Sequence, residues 1–202
     1  MSGDTRSAAS SRNSRSGASY RERLEQRPLL LEAEEESGER ARPDVEALRV
    51  LVEEVERDGS AFQSVAVAAV QIIERALLYE REAAEAALSL GQQEKLTSMV
   101  QTAEEAAEVL RGTLSAQGAK VMHLCSKENP PRPTSTEDAS GSPWWFALTD
   151  ALEVLEEGTG RMSSLTTAQR EGSPACRLSR CITELLRSHH DALLLEADEW
   201  IS

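Results

Sequence analysis

Apolar residues recur at alternating intervals of four and three through much of this sequence, and this periodicity limits the chain to helical folds more than any other feature. Such intervals place the side chains on one face of an α-helix. In residues 61–90 the row comprises Val65, Ala69, Ile72, Ala76, Tyr79, Ala83, Ala86 and Leu90. In the next segment it comprises Leu96, Val100, Ala103, Ala107, Leu110, Leu114, Gln117, Val121 and Leu124. The two rows predict two long helices that pair along a supercoiled seam.

The first of these helices has a second apolar row, which widens its apolar face. This row comprises Val70, Ile73, Leu77, Ala84 and Leu88. A helix that is apolar over so much of its circumference contacts more than one other helix. Because two helices cannot cover both rows by themselves, we expect the chain to be a subunit of an oligomer or of a hetero-complex with other helical proteins.

Start and stop signals give the limits of this region. Pro43 fits the first turn of a helix, and the carboxylate of Glu46 there faces the positive end of the helix dipole. Proline-rich sequence after Asn129 ends the helical pattern. The sequence therefore predicts a long antiparallel helical hairpin or coiled coil over residues 43–126 and a Pro/Ser-rich linker over residues 127–142.

Residues 143–202 are predicted to form a smaller C-terminal unit of two helices. The pairs Ser142-Pro143 and Ser173-Pro174 each combine a capping residue with a first-turn proline. The run Gly158-Thr159-Gly160 is expected to end the first helix of the pair. Only 3% of the residues are aromatic, which disfavours a large β core, and no segment alternates with period two. The fold class is therefore predicted to be all-α.

The charge and cysteine content exclude several classes of protein. A net charge of −13 argues against binding to nucleic acid and to anionic membrane surfaces, both of which require clustered lysine and arginine. No uninterrupted apolar stretch of about 18 residues is present, so no transmembrane segment is expected. Three cysteines are too few for a disulfide framework, and a reducing, cytoplasmic location fits best.

The histidines and cysteines do not have the spacing of a metal site. His123 and Cys125 are two positions apart on a predicted helix, so their side chains point in nearly opposite directions. Cys176, Cys181 and His189-His190 do not supply the two close ligand pairs of a structural zinc site. The sequence also contains no nucleophile elbow and no phosphate-binding glycine loop. We therefore expect no metal, no cofactor and no enzymatic activity.

Residues 1–42 are rich in Ser, Arg, Gly and Glu and are predicted to be disordered. Within them, Glu25-Gln26-Arg27-Pro28-Leu29-Leu30 resembles the acidic dileucine sorting signal. In such a signal two adjacent apolar side chains enter a pocket, and the upstream carboxylate meets a basic patch. The resemblance implies binding to clathrin-adaptor complexes on endosomal or Golgi membranes through Glu25, Leu29 and Leu30. In the alternative interpretation, Leu29 to Leu31 pack onto the first helix.

Trp144 and Trp145 are predicted to be anchors in the core or at a partner interface, because aromatic residues dominate such contacts. The acidic residues that follow them disfavour insertion into a membrane. The other residues predicted to contact partners lie in the two heptad rows and are Val65, Ile72, Tyr79, Leu96, Val100, Leu110 and Leu114.

These features together predict a non-enzymatic helical subunit or adaptor of a cytoplasmic multiprotein complex. The dileucine-like motif favours a role in vesicle trafficking or organelle positioning. The alternative is a cytoskeletal or kinetochore-type coiled-coil scaffold, which needs the heptads but not Leu29 and Leu30.

Overall fold

A computed structural model describes residues 45–53, 59–118 and 142–201, and every regular element in these ranges is an α-helix. The prediction of an all-α fold is therefore confirmed for this part of the chain. The predicted disordered tail, and the predicted linker up to residue 141, lie outside the described residues. The helices are α1 (Val45–Glu53), α2 (Gly59–Ala86), α3 (Leu90–Ala116), α4 (Pro143–Ala168) and α5 (Pro174–Ile201).

A serine precedes each of α3, α4 and α5, and two of these serines cap backbone N–H groups. Ser89 precedes α3, and its Oγ accepts a hydrogen bond of 3.2 Å from the backbone N–H of Gln92. Ser173 caps α5 in the same way, since its Oγ accepts from the backbone N–H of Cys176 at 3.2 Å. At α4, Ser142 makes no side-chain capping bond, and Pro143 occupies the first turn. Both predicted Ser-Pro helix starts are therefore confirmed, whereas the predicted side-chain cap is confirmed at Ser173 and not at Ser142.

The prediction that α4 ends at Gly158-Thr159-Gly160 is wrong, because the helix continues to Ala168. Gly158 is buried where α2 and α5 both approach α4. A Cβ atom at this position would lie 2.7 Å from Ile72 Cγ2 and 3.4 Å from Leu186 Cδ1. The glycine thus serves close helix packing rather than termination. The chain instead turns after α4 at Gly172, whose φ of 74° is in the left-handed region.

Side-chain pairs fix the direction of each helix relative to α2. Ion pairs join Arg81 to Glu104 and Arg111 to Glu74, so α3 runs antiparallel to α2. The closeness of Ile72 to Gly158 and the 2.9 Å ion pair of Arg75 with Glu157 make α4 antiparallel to α2 as well.

The last helix runs parallel to α2. Leu186 lies level with Ile72 at the Gly158 crossing, and His189, three residues further along α5, meets Glu80, eight residues further along α2. Helices α3 and α4 therefore run in the same direction, on different sides of the α2–α5 pair. Two turns lie at opposite ends of this bundle, the α2–α3 turn and the α4–α5 turn.

Helix α2 is the centre of the bundle and contacts α3, α4 and α5. The parts of its two apolar rows from Val65 to Leu77 are buried between these neighbours, as the exposed fractions of 1% for Val65, 0% for Val70 and 1% for Ile73 show. The chain's own C-terminal helices thus cover the wide face of α2. Helix α1 packs against α3 and α5, and Leu48 is its buried residue.

By length and composition alone, the Ala61–Ala86 part of α2 is long and apolar enough to cross a membrane. The core helix of a soluble bundle passes the same test, and half of the most apolar window of α2 is buried by the other helices. One helix of this kind is weak support for a membrane span, and the expectation of no transmembrane segment stays a prediction.

Candidate partner-binding surface

Most of the residues predicted to contact partners lie inside the bundle. Those with an exposed fraction of at most 8% are Val65, Ile72, Leu96, Val100, Leu110, Leu114, Trp144 and Trp145. Tyr79 is half-buried, and Glu25, Leu29 and Leu30 lie outside the described residues. The structure thus brings the apolar members of the set together as a core within one chain. Their role in binding a partner stays a prediction.

The core contains one buried pair of polar side chains that sequence reasoning missed. Glu80 on α2 and His189 on α5 are 1% and 3% exposed, and Glu80 Oε1 lies 2.8 Å from His189 Nδ1. Glu80 Oε2 has no hydrogen-bond partner among the described atoms. The pair therefore links two helices through a single hydrogen bond in an apolar environment, where an unpartnered carboxylate would be costly.

A signal for this pair was present in the sequence. Glu80 occupies the second apolar row of α2 between Leu77 and Ala84, and His189 occupies the apolar row of α5. Each is a polar residue at a core position of its helix. A buried polar side chain requires a hydrogen-bond partner, although the sequence does not show that Glu80 and His189 are partners of each other.

The other candidate ligands do not form a metal centre in the described ranges. Cys176 is buried, Cys181 is half-buried, and His190 Nδ1 lies 3.8 Å from Asp191 Oδ1. Within residues 45–53, 59–118 and 142–201, no three His, Cys, Asp or Glu side chains are grouped as a metal site would require. His123 and Cys125 are outside these ranges.

A second charged pair connects α3 to α5 near the α2–α3 turn. Lys95 Nζ lies 2.8 Å from Oε1 of Glu196, and the Glu196 side chain is only 4% exposed. The hydrogen bond and the negative charge of Glu196 raise the pKa of Lys95 above its ordinary value.

Burial raises the pKa of Tyr79, Arg75 opposes the rise, and the nearby acidic residues Asp150, Glu82 and Glu153 add to it.

Both shifts predict a loss of stability in alkaline solution. The folded state holds the protons of Lys95 and Tyr79 more tightly than the unfolded state. The stabilisation is therefore complete below about pH 10, and it is lost as the pH rises through the raised pKa values. We expect the Tyr79→Phe variant to lose less stability between about pH 9 and pH 11 than the native chain. Urea unfolding at a series of pH values measures this, and an equal loss in both proteins would contradict it.

A groove with a volume of about 730 Å³ lies between α1 and α3. Val52, Val109, Gly112 and Ala116 are the aliphatic and small residues of its lining. The rest of the lining is polar and comprises Arg49, Glu53, Glu105, Glu108, Thr113 and Gln117. Among these residues the three glutamates outnumber the single arginine, so the lining combines aliphatic and small residues with an excess of negative charge. Glu105 lies on the same face of α3 as Val109, Gly112 and Ala116. Sequence reasoning assigned no role to these residues, because the groove depends on how α1 docks on α3.

Exposed large apolar side chains also occur near the end of the bundle that carries the α2–α3 turn. Leu88 and Leu90 at this turn are 56% and 78% exposed, and Phe146 and Leu195 are 46% and 53% exposed. Leu90 was expected to continue the row of α2, but it is the first residue of α3 and faces solvent. These side chains lie on different helices, whereas the residues of the α1–α3 groove line one continuous surface.

Comparison of the chain with models of known protein families, with curated proteins and with solved structures finds no match.

Proposed function

We propose that the chain is a non-enzymatic helical subunit or adaptor of a cytoplasmic multiprotein complex. The observation that carries the proposal is the α1–α3 groove, a surface of the helical bundle that is lined by both aliphatic and charged residues. Grooves of this kind are typical sites for a helix from another protein. The finer proposal is that α2 and α3 form a long coiled-coil hairpin along their heptad seam. The packing of α2 against α3 is compatible with it.

Within this proposal, vesicle trafficking or organelle positioning is the process that the sequence supports best. The support is the dileucine-like motif, with Glu25 placed four residues before Leu29 and Leu30. The motif precedes α1, so a clathrin-adaptor complex that binds it need not contact the bundle core.

Replacement of Leu29 and Leu30 by alanine tests the trafficking role. We expect the double variant to lose most of its association with endosomal or Golgi membranes, because both side chains enter the receptor pocket of such a signal. Quantitative imaging of the tagged full-length chain in cells, together with membrane fractionation, measures the association. Leu31→Ala is the matched control, since it removes an adjacent leucine that lies outside the motif.

An unchanged membrane association of the double variant would remove the trafficking role. The heptad rows would then favour the alternative, a cytoskeletal or kinetochore-type scaffold, because those rows do not depend on Leu29 and Leu30. Co-sedimentation of the purified chain with microtubules or actin filaments distinguishes this alternative. A chain that has no protein partner after purification at its native level would contradict both roles.

A further inference from the structure

We propose that the α1–α3 groove binds one amphipathic helix of a partner protein, with small and aliphatic residues on its buried face and lysine or arginine on its flanks. This inference rests on the proposed function of the chain as a subunit of a complex, and it specifies the surface and the partner chemistry. Three observations support it: the length of the groove, an interior glycine in its lining, and the sign of the charge of that lining.

The length of the groove matches a short helix. On α3 its lining runs from Glu105 to Gln117. At about 1.5 Å per residue this distance corresponds to about 18 Å, or somewhat more than three helical turns. On the α1 side the lining comprises only Arg49, Val52 and Glu53. A helix of about 12 to 14 residues therefore matches the α3 side of the groove and meets α1 over about one turn.

Gly112 in the groove is not explained by contacts among the residues that the structure describes. It lies in the interior of α3, where glycine costs about 1 kcal/mol relative to alanine. A Cβ atom at Gly112 would meet nothing within 4 Å, and the residue does not have a positive φ. Neither a turn nor close packing with a described helix therefore requires glycine here. With Ala116 one turn further on, it leaves a shallow strip on which the backbone of another helix can approach closely.

The charges of the groove lining indicate the sign of the partner. Glu53, Glu105 and Glu108 form no ion pair with another described residue. The one cation of the lining, Arg49, pairs with Glu46 at 3.4 Å. Lysine or arginine on the flanks of an incoming helix would complement these carboxylates. A second copy of this chain, with a net charge of −13, is a poorer occupant because its acidic surface would be repelled.

Binding of a designed peptide to the purified full-length chain tests the proposal. The probe is a fluorescein-labelled helical peptide of about 14 residues, with alanine and leucine on one face and lysine on the flanks. Its control carries glutamate in place of every lysine. We expect fluorescence anisotropy to show saturable binding of the lysine peptide, weakened at higher salt, and at least tenfold weaker binding of the glutamate peptide.

The decisive variant is one that places a side chain in the groove. Gly112→Leu places a side chain in the groove at a position where a Cβ atom meets no described residue within 4 Å, and we expect it to weaken binding of the lysine peptide at least tenfold. Gly160→Leu is the matched control, because Gly160 is also an exposed helical glycine with nothing within 4 Å of its Cβ position. The charge reversal of Glu105 and Glu108 to lysine is expected to shift the preference towards the glutamate peptide. Circular dichroism confirms that each variant is folded.

Three outcomes would overturn the proposal. In the first, the two peptides bind with equal affinity. In the second, Gly112→Leu and Gly160→Leu have equal effects on binding. In the third, the native chain self-associates in sedimentation velocity and only Gly112→Leu prevents it, which would make a second copy the occupant. Membrane association of the variant with alanine at Leu29 and Leu30 is measured independently of peptide binding. Loss of the groove proposal can therefore be distinguished from a failure of the proposed function.

Discussion

Replacement of Gly158 by leucine is expected to lower the free energy of unfolding by about 3 kcal/mol, the upper part of the range for overpacking a well-packed core. Any Cβ atom at this position would lie 2.7 Å from Ile72 Cγ2. The γ-methyl of a β-branched isoleucine moves only with its χ1 angle or its backbone, so the contact cannot be relieved by a flexible side-chain end. Leucine adds further atoms at the point where α2 and α5 meet α4. Urea denaturation of the full-length chain, followed by circular dichroism, measures the change.

The matched control for this variant is Gly160→Leu, two residues further along α4. Nothing lies within 4 Å of a Cβ atom at Gly160, and the residue is exposed. Leucine should therefore stabilise the helix here by up to about 1 kcal/mol, the difference in helix propensity from glycine. Opposite signs for the two variants are expected. A Gly158→Leu variant as stable as the native chain would show that α2, α4 and α5 do not meet as closely as described.

The two glycines also show where sequence reasoning fails on this fold. Gly158 and Gly160 are the same residue type in the same three-residue run, and the local pattern predicted a helix end. Their difference comes from α2, about 85 residues earlier in the chain, because only Gly158 faces Ile72. Local propensity contains no information on such a long-range contact, so the continuation of α4 was not predictable from the run itself.

Periodicity was sufficient to identify buried helix faces but not the arrangement of the helices. The intervals of four and three placed Val65, Ile72, Leu96 and Leu110 on buried faces, as the structure has them. They also indicated correctly that α2 needs more than one neighbour. Periodicity does not identify the neighbour, and the expectation assigned this role to other chains, whereas α4 and α5 of the same chain cover much of the face.

The candidate site was less predictable than the core for the same physical reason. The groove depends on the position of α1, a short helix whose sequence shows an amphipathic pattern but no docking partner. Gly112 gave a local signal, since an interior glycine in a strong helical pattern needs an explanation. The sequence could not show whether that explanation was a contact inside the chain or an open surface.

Loss of one member of the buried Glu80–His189 pair is expected to have an even larger effect than overpacking at Gly158. In the His189→Leu variant, Glu80 would remain 1% exposed in the core, and its Oε1 would lose the partner now 2.8 Å away. Its other oxygen has no partner among the described atoms. Removing one partner of a buried pair of this kind costs about 3–5 kcal/mol. Glu80→Leu should also destabilise the fold, because His189 Nδ1 would then lose its hydrogen-bond partner in the core.

The double variant Glu80→Leu/His189→Leu separates the pair interaction from the cost of burial. Well-packed apolar residues often replace a buried polar pair with no loss of stability, so we expect the double variant to be more stable than His189→Leu alone by about 2 kcal/mol or more. His190→Leu, at the half-buried neighbouring position, is the control for a histidine replacement on α5 and should change the unfolding free energy by less than about 1 kcal/mol. Single and double variants whose effects simply add would show that Glu80 and His189 do not depend on each other. The described contact between α2 and α5 would then have no energetic basis at this point, since coupling between the two side chains is what a direct hydrogen bond in an apolar core requires.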